Sequence, residues 1–274
     1  MKKQTTQKTS VWLGCYIYFT LSADNLLIEK ILPIIQEIFK KKWANQYFFI
    51  RYSDSRDLHI RLRFKGEKDI LETRVQPLLK QTFPNSRFSR YQQELNRYGG
   101  IYGIVLAEKI FEASSNVILS FLKENEPTYE QSLGFALQLN ICMSYALGMD
   151  KVETIAFFDH LASNGEKSLY TKNFEKQKDA ILPFLSQLWS SLEEKIPFDK
   201  PWFNNWIQTI TDIGKEIKRA YTNNKLYPLD PKKGHPQNPL WYLYESYIHM
   251  NNNRLGIYNM DEPYIAYILK ETLD

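Results

Sequence analysis

Three islands of this chain carry side chains suited to chemistry. The first is His59, Arg61 and Arg63, at alternate positions of Asp57-Leu58-His59-Ile60-Arg61-Leu62-Arg63-Phe64. Such alternation predicts a half-buried strand, whose successive side chains point to opposite faces. Leu58, Ile60, Leu62 and Phe64 then share one face, and His59, Arg61 and Arg63 line the other. Two guanidiniums one pleat repeat apart form a double fork suited to carboxylate or phosphate groups. A solvated outer face accounts for the same pattern. The second island is Tyr91-Gln92-Gln93-Glu94-Leu95-Asn96-Arg97-Tyr98-Gly99-Gly100. Glu94 and Arg97 are expected to leave a strand end just before a glycine pair that permits a tight turn or a close approach. Its plain reading is a surface turn with an ion pair of small energetic weight. The third island is His249-Met250-Asn251-Asn252-Asn253-Arg254-Leu255-Gly256, a histidine followed by an amide-rich helix end. Here Asn252 or Asn253 is expected as the left-handed cap, Arg254 as a donor to the last carbonyls, and His249 as a partner of the helix dipole.

The elements that must position these residues follow from the apolar pattern. Residues 11–20 alternate as a first strand, with Val11, Leu13, Cys15, Ile17 and Phe19 on one face. Ser22 or Asp24 caps a helix that buries Leu27, Ile31, Ile34, Ile35 and Ile38. Pro33 kinks that helix or marks a later start. Residues 46–52 form a second strand, Ser53-Asp54-Ser55-Arg56 a turn, and the arginine strand returns as the hairpin partner. A helix over 67–81 ends before Pro84-Asn85, and a fourth strand follows over 87–93. The order β-α-β-β-α-β is that of a ferredoxin-like layer. Beyond Gly99-Gly100, helices are expected over 101–124, 129–147, 151–162, 171–194, 202–221, 241–252 and 262–273. A Pro-, Lys- and Gly-rich exposed connection covers 225–239. The fold class is α+β: a small ferredoxin-like antiparallel sheet in the N-terminal half, then a mostly helical C-terminal half. A polar, flexible N-terminus over 1–10 precedes a single domain over 11–274, with a sub-boundary near residue 100 left open.

Composition narrows the function. With 274 residues and 43% hydrophobic content, the chain can bury a sizeable core. A net charge of +4 and the lack of a long basic run beyond Lys40-Lys41-Lys42 argue against general nucleic-acid binding. The N-terminus lacks the apolar core of a signal peptide, and no stretch is apolar enough to span a bilayer. Cys15 and Cys142 read as small buried hydrophobes, so a cytoplasmic, disulfide-free protein is expected. The four histidines, His160 and His235 included, are too dispersed for a metal site. The sequence carries no Gly-x-Ser-x-Gly, dinucleotide glycine fingerprint or phosphate-binding Gly-Lys-Thr loop. The 18 Tyr, 16 Phe and 6 Trp fit either an aromatic core or a groove that grips a peptide.

Taken together, the islands resemble one family. The residues are Tyr47-Phe48-Phe49-Ile50-Arg51-Tyr52 with the arginine strand, then Glu94 to Gly100 followed by Ala107-Glu108 and Phe111, then His249-Met250 with Asn253-Arg254-Leu255. The chain is similar, over nearly its whole length, to the C-terminal domain of lantibiotic dehydratases, also called the thiopeptide-type bacteriocin biosynthesis domain. The resemblance implies a stand-alone form, without the large domain that glutamylates Ser and Thr from glutamyl-tRNA. It implies a lyase of ribosomal peptide antibiotic biosynthesis: glutamate is eliminated from a glutamylated Ser or Thr, leaving dehydroalanine or dehydrobutyrine.

Carried over motif by motif, the elimination residues are Arg61, Arg63, Glu94, Arg97 and His249. His59, Tyr98 and Arg254 are expected at the substrate. His249 is expected as acid/base. Arg61 and Arg97 would bind the glutamyl carboxylates and stabilise charge, with Arg63 assisting. Glu94 would orient an arginine or take the Cα proton. No cofactor or metal is implied. The implied partners are the glutamylated precursor peptide and a separate glutamyl-tRNA-dependent enzyme, with a cyclase and a homodimer as further candidates. Neither direct nucleic-acid binding nor a membrane span is expected. Two alternatives stand beside elimination: a thiopeptide [4+2] cycloaddition that forms a pyridine, and a non-catalytic peptide-binding subunit of a modification complex. The full set of arginines with a histidine favours elimination.

Overall fold

A computed structural model of the chain describes residues 10–20, 22–53, 58–163, 167–227 and 238–274. The expected polar N-terminus before Ser10, Asp54, Ser55 and Arg56 of the expected turn, and His235 lie outside the described residues. Two compact units divide the chain: residues 1–93 with 121–126, and residues 94–120 with 127–274.

The first unit is built on a sheet of β1 (Ser10–Tyr18), β2 (Gln46–Ser53), β3 (Leu58–Glu67) and β4 (Arg87–Arg90). Its order is β2-β3-β1-β4 and every pairing is antiparallel, the ferredoxin-like arrangement expected from the element order. After β1 the chain enters α1 (Ala23–Asn25), where the Ser22 side chain accepts from the Asn25 N–H. Ser22 is thus the cap. A π-helical turn over Leu26–Ile31 follows, then α2 (Leu32–Lys40) with Pro33 as its second residue. The second crossover repeats the device: α3 (Lys68–Ile70), a π-helical turn over Leu71–Val75, then α4 (Gln76–Thr82) with Pro77 second. In each, the N–H just before the proline bonds five residues back, Leu32 to the Leu27 carbonyl and Gln76 to the Leu71 carbonyl. Proline has no N–H and its ring crowds the residue four back. A widened turn ahead of it relieves both conflicts, which is the form taken by the kink expected at Pro33.

These helices cover one sheet face. Leu27, Ile31, Ile34, Ile35 and Ile38 are all buried, as their spacing predicts, against a face that includes Cys15, Ile60, Leu62 and Phe64. Each such side chain contributes about 1.5–3 kcal/mol by leaving water. Leu58 departs from the expectation and is 54% exposed, because it opens β3 at the margin of the sheet. β4 is shorter than expected and ends at Arg90. Its register with β1 stops at Leu13, and Tyr91 instead packs edge-on against Trp12 and Phe48, both at 5.5 Å.

The second unit begins with a 3₁₀ turn over Leu95–Tyr98. Its helices are α5 (Gly100–Asn125), whose residues from 121 on count with the first unit, α6 (Tyr129–Ala146), α7 (Lys151–Ala162), α8 (Lys167–Glu175), α9 (Lys178–Glu193), α10 (Pro201–Thr222), α11 (Trp241–Leu255) and α12 (Glu262–Leu273). A capping box of Thr128 and Gln131 starts α6. This helix buries side chains on all sides and packs on α7, α9, α10, α11 and α12, so it is the axis of the unit. The single helix expected over 171–194 is two, broken at Lys176-Gln177, where no residue type marks a break.

Helix α11 runs three residues further than expected. Gly256 at φ 89° is its left-handed cap, and its N–H meets the Asn252 and Asn253 carbonyls. Glycine adopts that conformation without a Cβ penalty, so Asn252 and Asn253 stay helical. Asn252 is buried and accepts from Asn140 at 3.2 Å. In the connection expected to be exposed, Leu226 is buried and its side chain approaches the Cβ positions of Gly99 and Gly103 at 3.3 Å, while residues 228–237 lie outside the described residues. Among the described residues no helix is long and apolar enough to cross a membrane. Cys15 and Cys142 are buried and unbonded, as expected, and burial pushes the Cys15 thiol up to about 12.

Candidate functional site

In the first unit, β3 presents its cations on the sheet face opposite the helices. Register sets Arg61 beside Tyr16 of β1 and Ile50 of β2, His59 beside Tyr18 and Tyr52, and Arg63 beside Gly14 and Phe48. The Arg61 guanidinium lies 3.3 Å from the Tyr52 ring centroid and 4.9 Å from that of Tyr16. Each cation–π contact of this kind is worth about 0.5–2 kcal/mol. The Arg61 Nε donates to His59 Nε2 at 3.1 Å, which assigns the imidazole proton to Nδ1. His59 itself is 0% exposed, stacked on Tyr16 at 5.3 Å and flanked by Tyr18 and Tyr52. It supports Arg61 rather than standing in solvent. Arg63 lies 4.3 Å from the Tyr91 ring and 5.0 Å from that of Phe48. Among the described residues, Arg61 is paired with no carboxylate.

In the second unit, Glu94 and Arg97 sit on the 3₁₀ turn and not at a strand end, since β4 has already stopped at Arg90. Gly99 and Gly100, at φ 76° and 81°, turn the chain from it into α5. A Cβ on Gly100 would lie 2.2 Å from the Tyr227 carbonyl oxygen, so close approach demands glycine there. The Arg97 Nη1 donates to Glu94 Oε2 at 3.3 Å, and its Nε donates to Ser246 Oγ at 3.1 Å. Burial disfavours the Arg97 charge, but Tyr98 and Glu94 outweigh it and raise the guanidinium pKa.

Ser246 and His249 lie one turn apart on one face of α11. Arg97, paired with Glu94, thereby docks on the face of α11 that carries His249 one turn further on. His249 is 31% exposed, and its Nδ1 faces both oxygens of Glu262 at 3.0 and 3.1 Å. With Nδ1 donating to the carboxylate, Nε2 carries the lone pair. Among the described residues that nitrogen has no hydrogen-bond partner.

Tyr98 and Arg254 are enclosed. Tyr98 stacks on Tyr247 at 5.9 Å and meets Phe111 edge-on at 5.2 Å. Arg254 is 0% exposed, lies 4.8 Å from the same Phe111 ring, and donates to the Met250 carbonyl at 2.8 Å. Met250 lies inside α11, so this bond is not the capping of the last carbonyls expected of Arg254; the Gly256 N–H meets those of Asn252 and Asn253. Both side chains brace Phe111 and α11 from within. Among the described residues no group of three or more His, Cys, Asp and Glu is placed to hold a metal ion.

Sequence reasoning missed Glu262, Ser246 and the tyrosine clamp of Arg61. The clamp has a signal: Trp12, Tyr16 and Tyr18 occupy the polar phase of β1, where solvated strands carry small or charged residues. Glu262 has none, because it reaches His249 across the turn between α11 and α12.

The chain is 26% identical over 269 residues to the nisin biosynthesis protein NisB of Lactococcus lactis subsp. lactis, covering 94% of this chain and 25% of NisB. It thus spans about a quarter of that relative's length. Among solved structures it is similar to TbtD, a pyridine synthase from thiomuracin biosynthesis, with a TM-score of 0.76 and 12% identity, covering 96% of this chain and 97% of TbtD. It is also similar to the tRNA-dependent lantibiotic dehydratase MibB of Microbispora sp. 107891, with a TM-score of 0.69 and 16% identity, covering 100% of this chain and 28% of MibB. At those identities the two structures speak for the fold. The model of the lantibiotic biosynthesis dehydratase C-terminal family matches residues 12–273, and the chain belongs to that family.

Proposed function

We propose that this protein eliminates glutamate from glutamylated Ser and Thr residues of a ribosomal precursor peptide. The observation that supports this most is Arg61: a guanidinium clamped between two tyrosine rings, with no carboxylate partner among the described residues. Such a cation suits a departing carboxylate. In the elimination, the Cα–H bond breaks and its electron pair becomes the Cα=Cβ bond. The Cβ–O bond breaks, and glutamate departs as an anion. His249 Nε2 takes the proton, and His249 Nδ1 stays with Glu262. Arg61 and Arg97 neutralise the glutamyl carboxylates and the charge that develops on the amide oxygen of the substrate. Arg63 assists. Glu94, 3.3 Å from Arg97, orients that arginine. His59 holds Arg61, while Tyr98 and Arg254 keep α11 rigid. No cofactor enters this scheme, because the leaving group was activated when the ester was made. The peptide reaches this step already glutamylated from glutamyl-tRNA, and a cyclase is a candidate to act on the product.

Mass spectrometry of a glutamylated precursor peptide incubated with the protein tests the reading. Loss of glutamate with formation of dehydroamino acids, abolished by Arg61→Ala and by His249→Ala, is the expected result. An unchanged peptide refutes it. Cyclisation of a multiply dehydrated thiopeptide precursor would then assign the protein to cycloaddition.

A further inference from the structure

We propose that Glu262 is a positioning residue that fixes His249 as its Nδ1–H tautomer and so turns the Nε2 lone pair toward the substrate. This rests on the elimination reading, which makes His249 the base. The geometry carries it. Both carboxylate oxygens of Glu262 lie at nearly equal distance, 3.0 and 3.1 Å, from the one ring nitrogen. The N–H therefore points between them, and the ring is fixed in rotation as well as in tautomer. A neutral histidine side chain in water favours the opposite tautomer, with the proton on Nε2, where it could not accept a proton.

Glu262 is itself held in place. It is the first residue of α12, followed by Pro263, whose ring fixes the backbone of the first turn. The residue before it, Asp261, accepts from the Tyr129 hydroxyl at 2.5 Å, and that hydroxyl accepts from the Tyr258 N–H at 3.1 Å. Tyr129 of α6, the axis of the unit, thereby ties down the turn that carries Glu262. Among the described residues the Glu262 carboxylate serves His249 alone. When Nε2 takes the Cα proton, the imidazolium forms beside this carboxylate, which offsets its charge. The proton then passes from Nε2 to water, and the neutral ring is restored for the next residue. The arrangement parallels the carboxylate–imidazole pair of serine hydrolases, in which the carboxylate orients the ring and is not itself protonated.

The test combines a spectroscopic and a kinetic readout. Long-range proton–nitrogen correlation spectra of the protein, labelled on its histidines and recorded where the ring is neutral, are expected to show His249 as Nδ1–H. Glu262→Leu is expected to shift it toward Nε2–H. Glu262→Gln keeps an acceptor oxygen and is expected to preserve the tautomer while losing the charge. On a glutamylated peptide, kcat is expected to fall about 100-fold in Glu262→Leu and less in Glu262→Gln, with KM nearly unchanged. An unchanged tautomer in Glu262→Leu overturns the proposal. So does full activity in Glu262→Leu when His249→Ala is inactive, and in that case the elimination reading survives. Full activity in His249→Ala instead removes His249 from the chemistry, a failure of the function reading. Thermal unfolding of each variant separates these outcomes from simple misfolding, and the tautomer is read only on folded protein.

Discussion

The strand face and the α11 face hold their arginines in opposite ways. On β3, aromatic rings grip Arg61 and an imidazole lone pair orients it, so its positive charge stays whole. On the 3₁₀ turn, Arg97 is gripped by a carboxylate and a hydroxyl, and part of its charge is already answered. Rings position a cation without neutralising it; an ion pair does both at once. Arg61 therefore offers the less neutralised charge to an incoming anion, and Arg97 the more rigidly directed side chain.

Substitution at the two arginines is the largest test of that contrast. Arg61→Ala is expected to lower kcat/KM for glutamate elimination by about 100- to 1000-fold. Lysine should not rescue it, because an ammonium lacks the planar fork. Arg97→Ala should cost less; an equal or larger loss, measured on the same peptide, would break the contrast. Next comes the clamp. Tyr52→Leu removes the ring nearest the Arg61 guanidinium and is expected to cost about tenfold in kcat/KM, in line with one cation–π contact. No change would mean that His59 and Tyr16 suffice to hold Arg61.

Smaller still is Glu94→Gln. The Glu94 side chain is 60% exposed, so its pair with Arg97 should contribute at most about 1 kcal/mol to stability. Chemical denaturation checks this, and a larger loss would show that the turn depends on the pair. The smallest effect appears only at alkaline pH. Burial first, and then the bond to Asp261, push the Tyr129 hydroxyl up to about 12, above its usual value of about 10. The folded state thus favours the protonated phenol. That contribution is complete below about pH 10 and is lost as pH rises through about 12. Unfolding curves across that window should fall more gently in Tyr129→Phe than in the parent protein.

Elements with an uninterrupted pattern were legible in the sequence. The helices over 151–162 and 262–273 match residue for residue, and the β3 alternation placed Ile60, Leu62 and Phe64 in the core. Elements decided by competition were not. At the end of α11 both asparagine and glycine offered a cap, and the absence of a Cβ favoured Gly256. The β4 ladder ends at Arg90, and Tyr91 meets Trp12, the next residue of β1 in the register, and Phe48 through ring edges instead of a backbone pairing. The residue types of the candidate site were readable, since arginine, glutamate and histidine announce their chemistry. Their supports were not, because Tyr16 and Tyr52 reach Arg61 through strand register and Glu262 reaches His249 through a turn. Local sequence encodes neither.

The two π-helical turns ahead of Pro33 and Pro77 bear on how this chain should be aligned with its relatives. A π turn holds one residue more than the α turn it replaces. Each therefore acts as a single-residue insertion whose displacement is absorbed within the helix. A relative that lacks either proline can lose one residue there and keep every later contact in phase. One-residue gaps at these positions would then mark evolutionary bookkeeping inside a helix, while a gap in β3 would reverse the side on which the arginines stand.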